Sequence, residues 1–124
     1  MTTPILGLRT AIYKVGDMER AKTWYAKAFQ AEPYFDEEMY IGFNIAGYEL
    51  GLMKDDAPGV PKTANVLTYW GVDDIDEAVK RYVALGATQD KAPVNVGGEI
   101  VVASVRDPWG NVIGLIYNPE FTLD

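Results

Sequence analysis

The chain repeats itself, and no other feature of it constrains the fold as strongly. Val15-Gly16-Asp17-Met18 returns as Val72-Asp73-Asp74-Ile75, followed by Ala78 in the place of Ala21 and Tyr82 in the place of Tyr25, at a constant shift of 57 residues (Val15 to Val72). Gly47-Tyr48-Glu49-Leu50-Gly51-Leu52-Met53 returns as Gly110-Asn111-Val112-Ile113-Gly114-Leu115-Ile116, now shifted by 63 (Gly51 to Gly114) after a longer loop in the second half. Two matches in the same order, each flanking the same kinds of element, predict a duplicated module.

Each copy has a readable element order. Leu8 to Val15 reads as a strand, and Asp17 is a plausible N-cap for a helix whose apolar residues Met18, Ala21, Tyr25, Ala28 and Phe29 recur at helical spacing. Tyr40–Ile45 and Tyr48–Met53 alternate as strands around Ala46-Gly47, a connection of hairpin length. A further strand is expected near Pro33–Asp36, although Pro33 and the acidic run after it weaken the pattern. In the second copy Val66–Val72 reads as a strand. Asp74 with Glu77 has the form of a capping box, and Ile75, Ala78, Val79, Tyr82 and Leu85 share a helix face that stops at Gly86. Glu99–Arg106 and Asn111–Tyr117 are strands around the turn Asp107-Pro108-Trp109-Gly110. The expectation is an α+β chain of two βαβββ modules, about residues 5–53 and 64–118, joined by the Pro- and Gly-containing linker 54–63.

Composition narrows the chemistry. A chain of 124 residues suits one compact domain, and its apolar stretches are too short to span a bilayer, so a soluble cytoplasmic protein with no membrane partner is expected. Eleven basic against eighteen acidic residues give a net charge of −7, which disfavours nucleic acid as a partner. With no Cys and no His, the chain lacks a thiolate nucleophile, an imidazole base and the usual nitrogen and sulfur ligands of transition metals. Chemistry would have to rest on carboxylates, Tyr, Lys, Arg or the backbone.

The strand ending in Val-x-Asp-Met/Ile, the helical Trp24-Tyr25 pair and above all the turn Asp107-Pro108-Trp109-Gly110-Asn111 resemble the vicinal oxygen chelate superfamily of glyoxalases, bleomycin-resistance proteins and extradiol dioxygenases. The resemblance implies that the modules curl into a cup-shaped mixed sheet with helices on its outer face, that a small molecule binds inside, and that the chain is a homodimer. It also implies four metal-ligand positions. Here they hold Thr10, Gly51, Leu67 and Gly114, none of which normally binds a divalent metal, so neither a metal nor another cofactor is expected.

Strand alternation assigns the faces, because residues two apart point the same way and the helix-packed face must be apolar. Ala11, Tyr13, Val15, Val66, Trp70, Val72, Val101, Ala103, Val105, Leu50 and Leu52 are expected against the helices. Thr10, Lys14, Glu49, Gly51, Asn65, Leu67, Tyr69, Ser104, Arg106 and Gly114 are left on the opposite, ligand-facing side, with Ile12 and Val102. Lys14 and Arg106 are the candidate partners of an anionic ligand, or else rim charges reaching solvent. Tyr69 is a candidate catalytic hydroxyl, or simply a half-exposed sheet tyrosine. Glu49 has two readings: an ion pair with Lys14 or Arg106, the commoner kind of arrangement, or the general base of a metal-independent isomerase or lyase, which needs its pKa raised by burial. The expected function is binding of a small aromatic or anionic molecule, with that enzyme as the alternative.

Overall fold

The structure, a computed structural model, describes residues 8–62 and 66–121. It contains β1 (Thr10–Val15), α1 (Met18–Phe29), β2 (Pro33–Asp36), β3 (Tyr40–Ile45) and β4 (Tyr48–Lys54), then β5 (Tyr69–Gly71), α2 (Ile75–Ala84), β6 (Thr88–Gly97), β7 (Ile100–Arg106) and β8 (Val112–Tyr117). This is βαβββ twice. The chain divides into two compact units at Pro58/Gly59, and each unit holds one four-stranded mixed sheet, ordered β1-β4-β3-β2 in the first and β5-β8-β7-β6 in the second. In each, the first strand pairs in parallel with the last and the other pairings are antiparallel.

The register carries the repeat. Ile12 lies beside Gly51 in the first sheet and Tyr69 beside Gly114 in the second, so both sequence shifts, 57 (Ile12 to Tyr69) and 63 (Gly51 to Gly114), meet at one pair of neighbours. The modules are copies in pairing as well as in residues.

Local chemistry sets the element ends. The Asp17 side chain accepts from the Arg20 N–H at 3.0 Å and that of Asp74 from the Glu77 N–H at 3.1 Å, each satisfying a donor that a helix start leaves open. α2 ends where Gly86 takes φ 107°, letting the Ala87 N–H reach back to the Tyr82 carbonyl at 3.0 Å. The β3–β4 hairpin turns on Ala46 and Gly47, both at positive φ, with the Gly47 N–H bonded to the Asn44 side chain at 2.8 Å.

One face of each sheet is covered by its helix. In the first unit Ala21, Trp24, Tyr25 and Ala28 of α1 pack against Tyr13, Val15, Ile41, Phe43, Leu50 and Leu52, and Tyr25 stacks on both Tyr13 (5.7 Å) and Phe29 (5.8 Å). In the second, Ile75, Ala78, Val79 and Tyr82 of α2 are buried with Ala103, Val105, Ile113 and Leu115. Burial pushes the Tyr82 hydroxyl up to about 12.

Three sequence expectations need correction. The strand expected from Val66 to Val72 is only Tyr69–Gly71, and Val66, expected in the core, is 84% exposed. β6, the longest strand, falls in a stretch to which the residue pattern assigned no strand, although a βαβββ module calls for one. Leu85 caps α2 and is only half-buried.

Candidate functional site

The helix-free face of the first sheet gathers a hydroxyl-lined carboxylate. β1 and β4 run in parallel with Thr10 beside Glu49, and Thr10 Oγ1 donates to Glu49 Oε1 at 3.0 Å. On β3, Tyr40 reaches along the same face and donates its hydroxyl to Oε1 at 2.7 Å, while the Tyr34 hydroxyl of β2 donates to Oε2. The β2–β3 register slips between Pro33, which pairs with Phe43, and Phe35, which pairs with Gly42, so that Phe35 joins Tyr34 opposite Gly42. Such a bulge sets two residues opposite one and re-aims a side chain that strict alternation would turn away.

Two glycines give the cluster room. Gly42 and Gly51 are paired neighbours on β3 and β4, and a Cβ on Gly51 would strike the Tyr40 hydroxyl and come within 2.7 Å of its Cζ. A Cβ on Gly42 would meet Glu49 Oε2 at 3.0 Å. The tyrosine and the carboxylate therefore lie across a floor made of backbone.

The electrostatics follow from the donors. The Tyr34 hydroxyl first, then those of Tyr40 and Thr10, hold the Glu49 carboxyl below its ordinary range, because hydrogen bonds to the ionised form favour it. Burial and the adjacent Glu49 raise Tyr40, and hydrogen bonding to Glu49 raises Tyr34, so both phenols remain donors. The ion pair expected for Glu49 is not formed. Lys14 pairs with Asp56 at 2.9 Å, and Arg106 pairs with Asp90 at 3.3 Å while donating to the Gly110 carbonyl at 2.8 Å. Nor does Glu49 have the raised pKa of a base, since the hydroxyls around it outweigh its partial burial.

The helix-free face of the second sheet is built differently. Ser104, buried, donates to Asp90 Oδ2 at 2.8 Å, and the other oxygen of that carboxylate takes the Arg106 guanidinium. Gly114 pairs with Ser104 on β7 and, on its other side, lies against Tyr69: a Cβ there would come within 2.6 Å of the Thr68 carbonyl and 2.7 Å of the Tyr69 ring. Tyr69 itself is 41% exposed. Arg106 is braced by the turn after it, where Asp107 Oδ1 accepts from the Trp109 and Asn111 N–H groups and Oδ2 from the Asn111 side chain, at 2.7–2.9 Å.

The structure thus brings Thr10, Glu49 and Gly51 together in the first module and Tyr69, Ser104, Arg106 and Gly114 in the second. Lys14 sits farther along β1, opposite Met53. Leu67 is half-buried ahead of β5, and Asn65 lies outside the described residues. Tyr34, Tyr40 and Asp90 were not found from sequence. Tyr40 could have been, since alternation in β3 puts it on the face of Gly42; Tyr34 could not, because β2 is a four-residue strand led by Pro33 and too short to show a period. A separate hollow of about 500 Å³ at the start of α1, lined by Asp17, Glu19, Asp36, Glu37, Glu38 and Lys54 among others, includes none of the predicted site residues.

A metal does not fit this donor set. Of the four family ligand positions, Thr10 spends its hydroxyl on Glu49, Gly51 lies beneath the Tyr40 ring, and Leu67 and Gly114 carry no donor side chain. Among the described residues no group of three or more carboxylates is placed to hold a metal ion.

A duplicated βαβββ unit with its chemistry on the helix-free sheet faces defines a class. The chain belongs to the Glyoxalase/Bleomycin resistance protein/Dioxygenase superfamily, whose model matches residues 8–115. Its fold is similar to that of a glyoxalase-related enzyme from Fulvimarina pelagi (TM-score 0.75, 19% identity, covering 97% of this chain and 94% of that one). It is similar also to the fosfomycin resistance protein FosX from Listeria monocytogenes in complex with Mn(II) and sulfate (TM-score 0.74, 21% identity, 96% and 94%). A glyoxalase/bleomycin resistance protein/dioxygenase family enzyme from Burkholderia phytofirmans aligns with TM-score 0.74 at 19% identity, over 87% of this chain and 95% of that one. No curated protein matches the chain. Among the described residues no helix is long and apolar enough to cross a membrane.

Proposed function

We propose that this chain is a small-molecule-binding member of the superfamily that works without a metal, holding its ligand on the helix-free sheet faces. One observation carries the reading: the first module's two ligand positions are absorbed into a hydrogen-bond cluster, Thr10 bonded to Glu49 and Gly51 covered by Tyr40. Binding accounts for the site better than proton abstraction does. A general base for carbon acids works best with a pKa near the operating pH, and the donors on Glu49 push it the other way. Tyr69, Ser104, Arg106 and Gly114 are proposed as a ligand-facing set of the second module by itself, with the Arg106 guanidinium, half-exposed beside Asp90, as its cationic group. We also read the chain as a cytoplasmic homodimer, since each sheet ends in two strands that pair on one side only (β1 and β2, β5 and β6) and such edges favour coverage by another copy.

The test is thermal unfolding against a chemically diverse ligand panel, with elemental analysis of the purified protein. The expected result is a saturable stabilisation by at least one compound, unchanged by chelator, and less than a tenth of an equivalent of transition metal. One equivalent of metal whose removal abolishes binding would overturn the reading. Light scattering at micromolar concentration tests the dimer.

A further inference from the structure

Among the described residues, the Glu49 carboxylate on the first module's helix-free face is paired with no cation. The hydrogen-bond partners of Glu49 are three neutral hydroxyls, from Thr10, Tyr34 and Tyr40, and Lys14, farther along β1, is engaged by Asp56. A carboxylate offers about four lone-pair positions, and three are used, two on Oε1 and one on Oε2. The remaining position is on Oε2, the oxygen that lies beside Gly42, and Glu49 as a whole is half-buried. Around it stand the rings of Tyr34 and Tyr40, with Phe35 edge-on to Tyr40 at 6.1 Å, and Phe35 is 45% exposed. A fixed negative charge with three aromatic rings beside it suits one kind of guest, a cation with an apolar body.

We propose that the Glu49 cluster is a subsite for an organic ammonium, one N–H donated to Glu49 Oε2 and the apolar part resting on Tyr34, Tyr40 and Phe35. The assignment rests on the reading of the helix-free faces as ligand-binding, and it replaces the aromatic or anionic ligand expected from sequence, for the first module, by a cationic one. The hydroxyl donors serve the purpose directly: they keep the carboxylate ionised and fixed in one orientation before any ligand arrives, so that little ordering remains to be done on binding. The chain's net charge of −7 works in the same direction at longer range.

Benzylamine, benzyl alcohol and benzoate present the same ring with a positive, a neutral and a negative head. Titrated into ¹⁵N-labelled protein at pH 7, benzylamine is expected to shift the Gly42 and Gly51 amides saturably, to bind at least about tenfold more tightly than benzyl alcohol, and to weaken with added salt; benzoate should leave those amides unmoved. Glu49→Gln should cost about tenfold or more in benzylamine affinity, and Tyr34→Phe less. Should Glu49→Gln fail to fold, the three-compound series on the wild-type protein decides alone. Benzyl alcohol or benzoate binding as tightly as benzylamine, or a folded Glu49→Gln variant binding benzylamine unchanged, would overturn the proposal. If panel compounds stabilise the protein while benzylamine shows no preference for these amides, the cationic subsite is lost and the small-molecule reading stands; if nothing binds at all, both fall.

Discussion

The two modules share a topology, a register and a glycine at the same point of the last strand, yet their helix-free faces carry opposite solutions to a carboxylate. In the first, Glu49 is held by hydroxyls alone. In the second, the equivalent β8 position is Val112, and the carboxylate comes instead from Asp90 on the edge strand, neutralised by Arg106 and hydrogen-bonded by Ser104. Duplication preserved what the backbone needs: the apolar helix-side residues and the close approaches at Gly51 and Gly114. The open face, which packs against no helix, was left to diverge. Where the sheet is constrained by packing the copies agree, and where it is constrained only by what it meets they differ.

The sharpest way to break the symmetry is through the cores. Phe43 and Ile113 are fully buried in their respective sheets, and by the usual toll of large core cavities Phe43→Ala should cost about 3–5 kcal/mol and Ile113→Ala about 2–5 kcal/mol. If the modules fold as one cooperative unit, urea denaturation of either variant shows a single earlier transition. Two separated transitions in Phe43→Ala alone would mean that the first module unfolds independently.

The paired glycines should separate next. A Cβ on Gly114 meets the Thr68 carbonyl, which is backbone, whereas one on Gly51 meets the end of the Tyr40 side chain. Gly114→Ala should therefore destabilise by about 1–3 kcal/mol, as overpacking does. Gly51→Ala should cost less in stability but swing Tyr40 off Glu49. Equal losses would show that Tyr40 has nowhere to go.

A smaller effect tests the carboxylate itself. Glu49 has its folded pKa lowered from an ordinary 4.5, so its contribution to stability is complete above that value and disappears as pH falls through the folded pKa. Tyr40→Phe removes one donor and should cost roughly 0.5–1.5 kcal/mol at pH 7, with the gap to wild type narrowing below pH 4.5. A gap independent of pH would place the loss in packing instead. Least of all should come from Asp56→Asn: the Lys14–Asp56 pair is exposed, and its removal should leave the unfolding midpoint unmoved within error.

What the residues revealed on their own followed from burial. Helix faces such as Ile75, Ala78, Val79 and Tyr82, the hairpin at Ala46-Gly47 and the place of Glu49 on the helix-free face all rest on alternation against a packed layer, and alternation is visible in a string of letters. β6 packs almost nothing: nine of its ten residues are exposed, and its pairing with β7 is broken by three register shifts, so no period survives to be read. The partners of Glu49 failed for a related reason. Tyr34 sits on a four-residue strand too short to show a period, and Arg106 was drawn to Asp90, a residue on that unread strand. Val66 shows the converse error, an apolar residue in a good strand pattern that ends up outside the sheet.

β6 also bears on how the protein behaves at high concentration. A ten-residue strand at the margin of a sheet, with Val94 and Val96 exposed, has the shape that recruits further strands into aggregates. Pro93 interrupts it with a residue that has no N–H to give, Lys91 adds a charge, and the three irregularities keep the margin from presenting a straight ladder. The same irregularity that hid this strand from the sequence pattern makes it a poor template for fibre growth, and replacing Pro93 with Val should shorten the lag before the protein precipitates on storage.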